Sequence, residues 1–145
     1  LHLGKVLLAA DDFYITGFEG DPSRPVAALR RKDAPLRDVA ILLNSLCYVR
    51  LVGLERAVVA RPEQRERLER AVQEWLASAA NALMAGYAEG IGDARCVPAR
   101  EEERMRLVRL FRISRALYEA DSELDERLSW TGVPLQVLLE QVEAT

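Results

Sequence analysis

Histidine and cysteine are scarce: there is one of the first and there are two of the second in 145 residues. His2, with no cysteine near it, cannot make a zinc site, which needs three or four such ligands. Cys47 and Cys96 form no disulfide framework, which fits a reducing compartment and leads us to expect a cytoplasmic protein. There is no excess of basic charge. The 20 Lys and Arg residues are outnumbered by 23 Asp and Glu, net −3, so the chain carries no field for nucleic acid. Long apolar runs are missing too. The longest, such as Val6–Ala10 and Val39–Leu43, are far too short to cross a bilayer. Leu1–Ala10 has neither the charged leader nor the cleavage site of a secretory signal. No repeat and no low-complexity tract stands out. What is present is the balance of a folded domain, half hydrophobic and 30% charged, long enough for one domain, 1–145, with a core.

Hydrophobic spacing predicts a short hairpin followed by helices. Lys5–Ala9 and Phe13–Thr16 read as strands, with Asp11 and Asp12 as turn chemistry between them. Gly17 to Pro35 is punctuated by Gly17, Gly20, Pro22, Pro25 and Pro35 and reads as loop, with a short helical turn within Ala27–Lys32. Residues 1–34 thus stand apart from a helical bundle over 35–145. Asp33 and Pro35 open its first helix, whose stripe is Leu36, Val39, Ala40, Leu43, Leu46 and Cys47. Arg37 and Asp38 read as an ion pair or cap within that helix. A second helix opens at Pro62 with Leu68, Val72, Trp75, Leu76, Ala79 and Leu83 as its stripe, and ends at Gly90 and Gly92. A third starts near Arg100, its acidic Glu101–Glu103 suiting the positive helix start. Its stripe runs Leu107, Leu110, Phe111, Leu117, Tyr118, Leu124, to about Leu128. Gly132–Pro134 then breaks the chain before a closing helix over Leu135–Val142. The charged runs Arg65–Arg70 and Glu101–Arg106 read as solvated helix faces. Periodicity alone says nothing of function.

Three segments resemble one family. HLGKVL at 2–7 with FYITGFEGDPSRP at 13–25, PLRDVA at 35–40 with Ser45 and Tyr48, and RALYE at 115–119 with Glu123, Arg127, Trp130, Pro134 and Leu135 are similar, in order, to maltokinases. These are aminoglycoside-phosphotransferase-like kinases often joined to trehalose synthase. The resemblance implies a mainly α fold: a β-hairpin followed by a helical bundle, like the C-terminal lobe of a protein-kinase-like fold. It also implies the family reaction, ATP-dependent phosphorylation of maltose. The family's catalytic loop reads HGDxHxxQ, and His2 matches its second histidine. Leu1 is therefore expected to fall inside that loop, with the catalytic Asp belonging two residues before His2 and the nucleotide-binding lobe upstream.

Phosphoryl transfer requires positioned phosphates, Mg²⁺ and a base at the acceptor hydroxyl. Two family positions supply oxygen ligands to Mg²⁺. The amide position of the loop is Lys5 here, and the Asp that opens the family's DFEG motif is Gly17. Gly17 offers only a backbone carbonyl. The Lys5 ammonium would repel a dication by several kcal/mol at short range in a partly desolvated site. We therefore expect no catalytic residue, no metal and no cofactor in this chain, ATP and Mg²⁺ being those of the family: an inactive pseudokinase remnant, a non-catalytic sugar-binding or scaffolding module, or part of a larger active kinase. Lys5 reads either as a surface lysine or as a cation that contacts a phosphate itself. His2, Lys5 and Glu19 mark the cofactor side. His2 reads otherwise as a packing residue, and Glu19 as a weak cation ligand or a partner of Arg24. On the sugar side, the family's helix KAxYExxYExxxRPxW places Arg115, Tyr118, Ser122 and Trp130 at its Lys, two Tyr and Trp positions. Tyr118 and Ser122 share a helix face, and Tyr118 and Trp130 read otherwise as core aromatics. Expected partners are maltose or a related sugar, and a second copy or trehalose synthase, with neither nucleic acid nor membrane.

Overall fold

The computed structural model describes residues 1–18, 25–126 and 130–143. It is mainly helical. A 3₁₀ turn at Leu3–Lys5 leads into an antiparallel hairpin, β1 (Val6–Ala9) and β2 (Asp12–Ile15), in the register Val6↔Ile15 through Ala9↔Asp12. The sequence placed the turn at Asp11 and Asp12; it lies at Ala10 and Asp11, both with positive φ, 49° and 63°. That is the two-residue turn whose twist matches its strands, so Asp12 joins β2, and Lys5 and Thr16 fall just outside the strands.

Five helices follow: α1 (Val26–Leu29), α2 (Leu36–Ala60), α3 (Arg65–Ile91), α4 (Glu101–Glu126) and α5 (Gly132–Glu143). The expected break at Gly132–Pro134 is instead the first turn of α5, where a proline's missing N–H costs nothing. Gly90 lies within α3, and Gly92 follows its end. Glu19, Arg24, Arg127 and Leu128 lie outside the described residues.

The core is organised on α2. All six positions of its expected stripe are buried, and α2 packs against α3, α4 and α5, while α4 and α5 pack on each other. Burying each aliphatic side chain contributes about 1.5–3 kcal/mol. Two polar side chains of α2 are buried with them. Asn44, with no exposed surface, donates from Nδ2 to the carbonyl of Arg112 at 3.0 Å and accepts from Arg112 Nε at 3.0 Å. Arg50 donates to Gln73 Oε1 at 2.9 Å and pairs with Glu140 at 3.1 Å, tying α2 to α3 and α5. Arg37 pairs back with Asp33, whereas Asp38 takes the amino group of Leu1 at 2.7 Å; the two are not partners of each other, because side chains one residue apart on a helix diverge.

α4 corrects the sequence reading most. Leu110, Leu117, Tyr118 and Leu124 are more than half exposed, and its buried positions are Val108, Ala116 and Glu123. The inward face therefore follows 108, 112, 116, 119 and 123, a 3.6-residue stripe that carries Arg112, Glu119 and Glu123. Leu110, Leu117 and Leu124 lie on another face, while Leu107 and Phe111 of the expected stripe pack against the core. Trp75 in α3 is likewise 42% exposed. Among the described residues, no helix is long and apolar enough to cross a membrane.

Replacing Asn44 with Ala is expected to cost about 1–3 kcal/mol, because it removes both hydrogen bonds that join Asn44 to Arg112 inside the bundle. Leu110→Ser, on the exposed face of α4, is expected to change stability by no more than about 0.5 kcal/mol. Urea unfolding of the two variants checks both; equal losses would put Leu110 inside.

Candidate functional site

The residues that the sequence singled out at its two ends meet in space. His2, Lys5 and Gly17 from the hairpin region share a cleft of about 770 Å³ with Arg115, Tyr118 and Ser122 of α4. An adjoining cleft of about 380 Å³ shares His2, Arg115, Tyr118 and Ser122 and adds Ser45 and Tyr48 of α2 and Glu119 and Glu123 of α4. Trp130 lines neither. It stacks on Tyr48, centroids 6.2 Å apart and planes within 20°, so it backs the tyrosine that does line the cleft. Glu19 lies outside the described residues.

Lys5 and Gly17 interlock. A Cβ built on Gly17 would lie 2.5 Å from both Cδ and Nζ of Lys5, well inside van der Waals contact. The lysine side chain thus fills the volume in which any side chain at position 17 would begin. Gly17 also sits at φ +73°, where an L-residue is strained by about 1–2 kcal/mol. Thr16 closes the hairpin onto the same segment, its N–H donating to the Lys5 carbonyl at 2.8 Å and its hydroxyl to the same oxygen at 3.3 Å. The two positions marked as Mg²⁺ ligands by the resemblance do not fit the ion: one presents an ammonium, and the other has no side chain. Among the described residues, no three His, Cys, Asp or Glu side chains converge as a metal site.

His2 is fixed by its own turn. Its Nδ1 accepts the Gly4 N–H at 3.2 Å, which places the ring proton of the neutral form on Nε2 as a donor. The ring packs so closely that a Cβ on Gly4 would meet Cε1 at 2.9 Å. Burial, then the positive charges of the amino terminus, Arg115 and Lys5, hold the imidazole below its ordinary value of 6.5.

The smaller cleft mixes donors and acceptors. Arg115 Nε donates to Glu119 Oε1 at 2.6 Å and its guanidinium lies 5.1 Å from the centre of the Tyr118 ring. Glu119 Oε2 and Tyr48 Oη are buried, and the tyrosine hydroxyl lies against the Glu119 carboxylate. Desolvation raises the Glu119 carboxyl above its ordinary 4.5, against the pull of Arg115. Desolvation, reinforced by Glu119 and Glu123, likewise raises the Tyr48 hydroxyl. The half-exposed Tyr118 ring thus stands beside a buried carboxylate and phenol that interact with each other. The site roles of Tyr48, Glu119 and Glu123 were missed in the sequence reading. Arg115, Glu119 and Glu123 repeat every four residues, which reads as a solvated ion-pair row, yet Glu119 and Glu123 share the face of Ala116.

Two outcomes follow. Because folding raises the Glu119 pKa, that carboxyl's favourable contribution is complete below 4.5 and is lost as pH rises through its higher folded-state value. Glu119→Gln keeps an acceptor for Arg115 and removes the buried charge, so the variant is expected to melt higher than the parent at pH 8, with the gap closing below pH 4.5. Thermal melts across that range check it; a gap that widens on acidification would refute the burial argument. Secondly, Gly17→Ala should speed amide exchange across Lys5–Ile15. Lys5→Ala in the same chain should restore only the steric share, leaving the roughly 1–2 kcal/mol of backbone strain. Strict additivity of the two substitutions would mean the side chains do not meet.

No family model matches the chain.

Proposed function

We propose that this chain is the helical lobe of a maltokinase-like protein in which phosphoryl transfer has been lost and the sugar-facing cleft persists as a binding site. The observation that carries this reading is the Lys5 side chain lying in the volume of a residue-17 side chain. An ammonium held there opposes a divalent ion, and no carboxylate can enter without displacing it. The cleft itself supports the sugar part: Tyr118 offers an exposed ring, Ser122 a hydroxyl one turn on, and Arg115 a guanidinium beside them. A cytoplasmic location belongs to the same reading, since Cys47 and Cys96 are both free.

The expected result with maltose, ATP and Mg²⁺ is no nucleotide consumption above a heat-killed control, and turnover by this chain would overturn the loss of catalysis. Calorimetry with maltose is expected to show binding that Tyr118→Ala weakens at least tenfold. Unaltered affinity in that variant would place the sugar elsewhere.

A scaffolding role is favoured by a separate observation. Leu7, Leu8, Phe13, Tyr14 and Ile15 of the hairpin, and Phe18 beyond it, are all about half exposed or more. A two-stranded hairpin is marginal alone, and contiguous apolar surface of this kind marks an interaction face. Self-association or docking to a trehalose synthase would cover it. Sedimentation should then show mass above the monomer at high concentration, lost on Leu8→Ser with Phe13→Ser; a clean monomer would count against this role.

A further inference from the structure

The outward sides of α4 and α5 are apolar. On α4, Leu110, Leu117 and Leu124 recur every seven residues and are each more than half exposed, opposite the buried Val108, Ala116 and Glu123. On α5, Leu135, Leu139 and Val142 recur at steps of four and three and are about half exposed or more, opposite the buried Val133, Val137 and Gln141. Val133 and Val137 belong to the same core as Val108 and Ala116, so the two rows look away from one core. α4 and α5 pack on each other, and Arg109 near the start of α4 donates to the Gln141 carbonyl near the end of α5, so the helices run antiparallel. Stepping along both helices from that bond sets Leu139 level with Leu110 and Leu135 near Leu117. The two rows are neighbours on one surface, and none of the six residues lines either cleft.

The size and spacing of this surface fit a second copy. Taking a fully exposed leucine at roughly 200 Å², the six side chains present on the order of 600 Å², the upper end of the largest apolar patch on a monomer. Two such faces pressed together remove about 1,200 Å², the size at which specific, stable interfaces begin. Leucines seven apart also make the seam of paired helices, and three in a row are symmetric about the middle one, so the face complements itself under a two-fold axis. Charge sets the direction. A parallel pair would lay Glu103 on Glu103 and Asp121 on Asp121, both exposed positions, and like charges set opposite each other oppose association. An antiparallel pair centred on Leu117 sets Leu124 on Leu110 and Asp121 against Ile113 instead.

We propose that two copies of this chain pair through the outward faces of α4 and α5, with α4 antiparallel to its counterpart and the two-fold axis at Leu117. This pairing depends on neither the sugar cleft nor the hairpin, and it leaves both open to solvent.

Sedimentation across a dilution series tests it. A monomer–dimer equilibrium is expected that raised salt does not weaken, since no ion contact holds it. Leu117→Asp is expected to weaken the dimer at least tenfold, and Val59→Ser, at an exposed position of α2, to leave it unchanged. Disulfide trapping with diamide reads the direction, in a chain whose exposed Cys96 is replaced by Ser. Leu117→Cys should give a covalent dimer. Leu110→Cys alone should not, because its two thiols would lie about 20 Å apart along the paired helices, whereas a mixture of Leu110→Cys and Leu124→Cys chains should. A monomer at every concentration overturns the inference. So does a dimer that Leu117→Asp leaves intact, or one dissolved only by Leu8→Ser with Phe13→Ser, which would put the contact on the hairpin. Leu110→Cys trapped with itself overturns the antiparallel arrangement. Should Leu117→Asp fail to fold, the trapping decides: no covalent dimer of Leu117→Cys refutes the pairing.

Discussion

Asn44 and Arg112 hold each other by two hydrogen bonds inside the bundle, and the placement of α4 on α2 follows from that pair. A carboxamide with no exposed surface must be matched, because an unmet amide inside a protein costs more than a made bond contributes. Matching it at two atoms fixes both the rotation and the height of α4 against α2. Arg50 does similar work toward α3 and α5, through Gln73 and Glu140. Apolar burial supplies most of the driving force, but it is non-directional. The polar contacts decide which face of each helix turns inward.

That rotation builds the cleft. With Arg112 turned to Asn44, the same face of α4 carries Ala116, Glu119 and Glu123 inward, and Arg115, Tyr118 and Ser122 follow along its edge toward the hairpin. Had the leucines faced the core, the carboxylates would have pointed into water, where an ion pair such as Arg115–Glu119 contributes little. Half-buried, the same groups form a polar wall with raised Glu119 and Tyr48 pKa values. The packing of the bundle and the chemistry of the cleft are two results of one choice of helix face.

Much of the architecture was legible in the sequence, and for identifiable reasons. The stripe of α2 was complete because a helix surrounded by three others shows its apolar period plainly. The hairpin was legible from its apolar runs and turn residues, though its register shifted by one because Ala10, a residue with no special turn chemistry, takes a left-handed conformation. α4 misled because its strongest apolar period, through Leu110, Leu117 and Leu124, is the outer one, and nothing in a single chain says which of two stripes will be buried. For the site, residues from both ends of the chain were singled out by resemblance, and Lys5, Gly17, Arg115, Tyr118 and Ser122 do share one cleft. Trp130 stands behind it. Tyr48 and Glu119 escaped notice because the burial of their oxygens against each other is a property of the assembled bundle.

The contact between Lys5 and Gly17 has a consequence for how this region can change over generations. A side chain at position 17 needs the far end of Lys5 to swing aside, and Lys5 shortened on its own leaves that volume empty. A change at either position is therefore felt at the other, and the two vary as neighbours in one contact.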